Sequence, residues 1–152
     1  MLRDNINNAL KDAMKAREER RVSTLRLVNA AIKNADIAAR GEGKEPLIDA
    51  ELLSVLQKMI KQRQESVELY DKGGRPELAQ QERDEIAIIG GYLPKQMSDV
   101  EAGAAISGIL QEINAQSMKD MGRAMAALKE RFAGTMDFSK ASAKIKELLS
   151  NK

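Results

Sequence analysis

Lys61-Gln-Arg-Gln-Glu-Ser-Val-Glu-Leu-Tyr-Asp-Lys-Gly-Gly-Arg-Pro-Glu-Leu-Ala-Gln-Gln-Glu82 reads as the end of one helix, a tight turn and the start of another. Upstream, Asp49 is placed to cap a long helix carrying Leu52, Leu56, Met59, Ile60, Val67 and Tyr70 on one face. Asp71-Lys-Gly-Gly-Arg75 is the turn, and Pro76 suits a first helical position, where its missing N–H costs nothing. The next helix carries Leu78, Ile86 and Ile89 and stops at Gly90-Gly91. Two helices joined by so short a turn pack antiparallel. Arg63 and Glu82 each fall in the middle of an apolar stripe, ten residues before Gly73 and nine after it. The hairpin therefore predicts an Arg63–Glu82 structural ion pair, which would satisfy both groups on burial. Glu82, Asp84 and Glu85 could alternatively form a carboxylate cluster, but ion pairing with solvated neighbours is the simpler account.

Working outward, helical periodicity fills nearly the whole chain. Leu2, Ile6, Leu10 and Met14 predict a first helix ending near Arg20-Arg21. Ser23 is the expected cap of a second, with Leu25, Val28, Ile32, Ala35 and Ala39 on its inner face. Gly41, Gly43 and Pro46 make a loop. Tyr92-Leu93-Pro94 marks a boundary, because proline disfavours helix at the residue before it. Ser98 with Glu101, and Ser117 with Asp120, are capping-box starts for helices five and six. Ala133-Gly134-Thr135 breaks the chain before a last helix from about Asp137 to Leu149. The expected fold is all-α: a four-helix amino-terminal lobe (1–93) and a three-helix tail lobe (94–152), joined by a short Gly-Gly-Tyr-Leu-Pro hinge.

Composition agrees. Of 152 residues none is Cys, His or Trp, which excludes Cys/His zinc sites, thiol nucleophiles, disulfides and Ser-His-Asp triads. Aromatics are only 3% of the chain, too few for an ordinary β-sandwich or barrel core. No Gly-rich phosphate loop, metal-ligand set or catalytic constellation is visible, so no catalytic residue, metal or cofactor is expected. No stretch approaches the ~18 apolar residues of a membrane span, and the polar start lacks the apolar core of a secretory leader. The expectation is a cytoplasmic protein without a membrane partner. The formal charge of +2 lies in the tail lobe: residues 1–93 carry sixteen charges of each sign, and the remainder nine basic against seven acidic.

Helix six, Met118-Lys-Asp-Met-Gly-Arg-Ala-Met-Ala-Ala-Leu-Lys-Glu-Arg-Phe132, is the most informative segment for function. Met118, Met121, Met125, Leu128 and Phe132 form one seam expected in the core. Lys119 and Arg123 lie opposite, and Gly122 lies on the flank. A helical glycine costs ~1 kcal/mol relative to alanine, so Gly122 requires either a close neighbouring helix or a close external ligand such as a phosphate chain.

Thr24-Leu-Arg-Leu-Val-Asn-Ala-Ala-Ile-Lys33, Lys61-Gln-Arg-Gln-Glu-Ser66, Gly74-Arg-Pro-Glu-Leu-Ala79, Tyr92-Leu-Pro94 and Lys119-Asp-Met-Gly-Arg123 together resemble the YqeY family. That family is similar to the carboxy-terminal helical and tail regions of the B subunit of the tRNA-dependent amidotransferase. The resemblance implies a tRNA-contacting tail and an association with carbon–nitrogen ligase chemistry that uses glutamine as amide donor. The amidase and the ATP-dependent activating domain of that system have no counterpart in this chain. The tail's role carries over onto Lys119, Gly122 and Arg123, with Lys129, Arg131 and Lys144 added as basic neighbours. The expected function is thus a non-catalytic tRNA-interacting module. The alternative is a protein–protein adaptor in tRNA metabolism, whose partner would be a protein of aminoacylation or amidation.

Overall fold

The computed structural model describes residues 1–151 and is helical throughout, with no strand among them. The helices are α1 (Leu2–Ala16), α2 (Glu19–Gly41), α3 (Asp49–Lys72), α4 (Pro76–Gly90), α5 (Asp99–Glu112), α6 (Met121–Phe132) and α7 (Phe138–Ser150); a 3-10 turn, Met118–Asp120, precedes α6. Contacts group them into two compact units, Met1–Leu93 and the stretch beginning at Pro94.

In the first unit Ile6, Leu25, Val28, Leu52, Leu56 and Ile89 are fully buried and form one core. Tyr92 and Leu93 pack against the same core, and the Tyr92 hydroxyl accepts from Arg21 at 3.2 Å. The first helix ends at Ala16, not near Arg20-Arg21. Arg17 adopts a left-handed conformation (φ 58°), and the N–H groups of Arg17 and Glu18 turn back onto the Met14 and Ala13 carbonyls. No glycine or proline marks this break, which is why the pattern conceals it. Ser23 consequently sits inside α2, where its hydroxyl donates to the Arg20 carbonyl. Asp49 is likewise the first residue of α3 and not its cap; Glu51 closes that end by accepting from the Ile48 N–H at 3.1 Å. At the end of α3, Gly74 has φ +71°, a conformation that an L side chain adopts only under strain.

The loop between α2 and α3 is fixed by one carboxylate. Asp36 accepts both terminal nitrogens of Arg3 at 2.7 Å and the Leu47 N–H at 3.0 Å. Arg3 also donates to the Leu47 carbonyl. Asp36 thereby joins the first helix, the second helix and the loop, and its carboxyl is held down to about 2 by Arg3 first and the Leu47 N–H second.

The predicted Arg63–Glu82 pair is corrected by the hairpin. Arg63 Nε donates to Glu85 Oε2 at 2.9 Å, with the two side chains 14% and 8% exposed. Side chains on a helix lean toward its amino terminus. Arg63 leans away from the Gly73 turn and Glu85 leans back toward it, so the partner lies farther along α4 than symmetric counting places it. Glu82 stands one turn nearer the loop, half-buried, and burial followed by the neighbouring Glu85 charge pushes its carboxyl up while Arg63 opposes them. The third carboxylate, Asp84, pairs with Arg20 at 2.9 Å.

The second unit has its own core of Ile106, Ile109, Leu110, Leu128, Ile145 and Leu149 with small residues between them. Ser98 and Glu101 form the expected reciprocal cap of α5. Asp137 caps α7 by accepting from the Ser139 and Lys140 N–H groups. On α6 the buried line is Ala124 and Leu128, flanked by Met121, Met125 and Phe132. Met118 departs from the predicted seam: the 3-10 turn rotates it outward and leaves it 40% exposed. The Gln96 amide donates to the Pro94 and Gly134 carbonyls, and the Met97 N–H to the Thr135 carbonyl, which ties the start of this unit to the α6–α7 loop.

Candidate nucleic-acid interface

The amino-terminal end of α6 is organised by Asp120. One carboxylate oxygen accepts from the Gln116 N–H at 2.8 Å and the Ser117 N–H at 3.2 Å, and the other from Arg123 at 2.8 Å. These donors, the Gln116 N–H foremost, hold the Asp120 carboxyl down to about 2. Ser117 completes the turn by accepting from the Lys119 N–H. Lys119, Gly122 and Arg123 are thus brought together on the exposed side of this end.

Gly122 resolves one of its two alternatives. A methyl group built on it would meet nothing within 4 Å, so no neighbouring helix demands a glycine there. Its surface is open to an external group.

The cations divide into two kinds. Arg131 forms a two-pronged pair with Glu112, with Nη2 2.6 Å from Oε1, which lowers the glutamate's carboxyl. Arg123 is engaged by Asp120, and Lys144 lies 3.9 Å from Glu147. Lys119 and Lys129 are exposed, with no side-chain ion pair among the described residues. The face is therefore less basic than a count of its Lys and Arg suggests. The three-residue spacing of Asp120 and Arg123 signals the first pairing in the sequence. Nothing there signals Arg131–Glu112, nineteen residues apart. Among the described residues no group of three or more carboxylates converges in a way that could hold a metal ion.

An all-helical chain of two small units, with a capped basic turn opening its sixth helix, is the class that this geometry defines. Residues 3–149 match the family described as Yqey-like protein, and the chain belongs to that family. Its relatives include "Altered inheritance of mitochondria protein 41, mitochondrial" from three fungi. The Lachancea thermotolerans protein is 35% identical over 111 residues, 72% of this chain and 58% of that protein. The Eremothecium gossypii protein is 36% identical over 84 residues, 55% of this chain and 44% of its own length. The Pyrenophora tritici-repentis protein is 29% identical over 149 residues, 94% of this chain and 78% of its own. The chain thus spans about half the length of the first two. These relatives overturn the cytoplasmic expectation, since they are named as mitochondrial proteins. A polar amino-terminal stretch does not separate one compartment from another.

Proposed function

We propose that the second unit binds tRNA through its phosphate backbone at the start of α6, without catalysing a reaction of its own. The observation that carries this reading is the open surface of Gly122 beside Lys119, which has no ion-pair partner among the described residues. A ribose-phosphate strand can approach the helix backbone there as a bulkier residue would not allow. Lys129 adds a second cation without an ion pair among the described residues, and Arg123, whose Nη2 is held by Asp120, contributes less. The resemblance to the amidotransferase B-subunit tail supports the choice of tRNA among anionic ligands. With two or three phosphate contacts the complex should be weak, with a slope of log K against log salt of about −2 to −3. Neither aromatic of this unit, Phe132 or Phe138, is exposed for base stacking, so shape and charge should outweigh sequence.

Fluorescence anisotropy of the full chain against total tRNA at low salt tests the reading. Binding that weakens with salt, falls with Lys119→Ala and Lys129→Ala, and falls further with Gly122→Leu supports it. Absence of binding, or binding unchanged in the Lys119→Ala/Lys129→Ala double variant, overturns it in favour of a protein adaptor.

A further inference from the structure

The Thr24–Lys33 motif supplies more than core. Thr24, Leu25, Val28 and Ile32 are buried, whereas Arg26, Leu27, Ala30 and Lys33 are exposed. Outward from the core, Leu27, Ala30, Asn34 and Ile37 follow one another at spacings of three, four and three along α2. That is the a/d rhythm of a coiled-coil seam, and it runs on the solvent side of a helix whose opposite side is already packed. Leu27 is 46% exposed and Ile37 53%.

Beside this seam Arg26, Lys33 and Arg40 recur every seven residues, at the flanking position where a coiled coil sets its partner by charge. All three are exposed, and none makes an ion pair among the described residues. Arg40 does act at a distance on Asp36, whose carboxylate is already held by Arg3. Asp36 is the one acidic residue of α2 between Ser23 and Gly41, and it is turned to the Arg3 side; Glu19, at the first residue, is the other carboxylate of the helix. Past its far end lies an open groove lined by small and apolar residues of α2 and the following loop, together with Lys44 and three glutamates, Glu42, Glu45 and Glu51, so the groove is not part of the basic face. From Arg26 to Arg40 the outer face therefore combines exposed aliphatic residues with a flank of basic charge that has no ion-pair partner among the described residues. On the opposite flank of the seam stand Ala31 and Ala38, which permit close approach.

We propose that the outer face of α2 docks an acidic amphipathic helix from a partner protein, with Leu27 and Ile37 as apolar anchors and Arg26, Lys33 and Arg40 pairing with its carboxylates. Charge complementarity selects this occupant. A second copy packed antiparallel would set cation against cation along the flank. Nucleic acid would use the cations and leave Leu27 and Ile37 without a role. Asn34, at a central seam position, fixes register at some cost in affinity. With two large anchors the complex is weak, in the micromolar range. The site lies in the first unit and shares no residue with the proposed tRNA contact, so the two stand or fall separately.

The probe is a synthetic three-heptad helical peptide with Leu at a and d and Glu at both e and g, labelled and titrated with the full chain by anisotropy. A matching peptide with Lys at e and g is the control. The expected result is saturable binding of the Glu peptide only, weakened at least tenfold by Leu27→Ser/Ile37→Ser. In Arg26→Glu/Lys33→Glu/Arg40→Glu the preference should reverse toward the Lys peptide. These positions are exposed, and unchanged circular dichroism and Tm will show that the variants fold. No binding of the Glu peptide, binding indifferent to Leu27 and Ile37, displacement by tRNA, or a dimer in sedimentation that Arg26→Glu strengthens would each overturn the proposal.

Discussion

Arg63 reaches past the half-buried Glu82 to bond Glu85, and these two side chains lock the α3–α4 hairpin across its buried face. Arg63 also donates to the Met59 carbonyl of its own helix, so its direction is set from both sides. Glu85→Ala should destabilise the first unit by about 3–5 kcal/mol in urea unfolding, because it strands a buried guanidinium. Arg63→Met/Glu85→Leu should cost much less than either single change. A Glu85→Ala variant as stable as the parent would show that the pair is not buried in solution.

Glu82 carries the opposite sign. Its carboxyl is raised, so the contribution it makes to stability is present below the ordinary value of 4.5 and is lost as pH rises through the raised one. Glu82→Gln should therefore raise Tm at pH 7, and the gain should vanish by pH 4. A loss of Tm at neutral pH would mean that attraction to Arg63 outweighs burial and repulsion from Glu85.

Asp36 predicts acid sensitivity. Its depressed carboxyl stabilises the fold above the ordinary 3.8, and that stabilisation disappears as pH falls toward about 2. Asp36→Asn should lower Tm at pH 5 and converge with the parent near pH 2. Melting curves at successive pH values decide it; parallel curves for the two proteins would contradict the Arg3–Asp36 linkage.

Arg17 and Asn114 are the two non-glycine residues with positive φ among the described residues. Left-handed backbone costs an ordinary L residue roughly 1–2 kcal/mol, and asparagine less. Arg17→Gly should stabilise by about 0.5–1 kcal/mol once the freer unfolded chain is counted. Asn114→Ala should destabilise by about 1 kcal/mol. Denaturant midpoints measure both, and a destabilising Arg17→Gly would place the turn elsewhere.

The helical class was legible because period-four apolar patterning and glycine or proline punctuation agree over most of the chain. The Ser98–Glu101 cap and the Pro76 start follow from residue types with one strong local preference. The α1–α2 break was not legible, since Arg17 is a good helix former and its turn is closed by backbone bonds onto the Met14 and Ala13 carbonyls that no residue type announces. Glu85 was missed for a geometric reason: counting residues from a turn ignores the lean of side chains along each helix. At the candidate interface the sequence showed where the cations are and, through a three-residue spacing, the Asp120–Arg123 pair, but not that Glu112 occupies Arg131 from nineteen residues away. Asp36 carried no sequence signal at all, because its partners lie 33 and 11 residues away.

The two hydrophobic clusters have no residue in common. Two units with separate cores predict two cooperative blocks under heat or urea, in which case no single unfolding free energy would describe the chain. Substitutions at Arg17, Asp36, Glu82 or Glu85 belong to one transition and those at Asn114 to the other. A ligand held by one block should delay only that block's melting, so calorimetry with a bound acidic helix or with tRNA would report which half of the molecule each one grips.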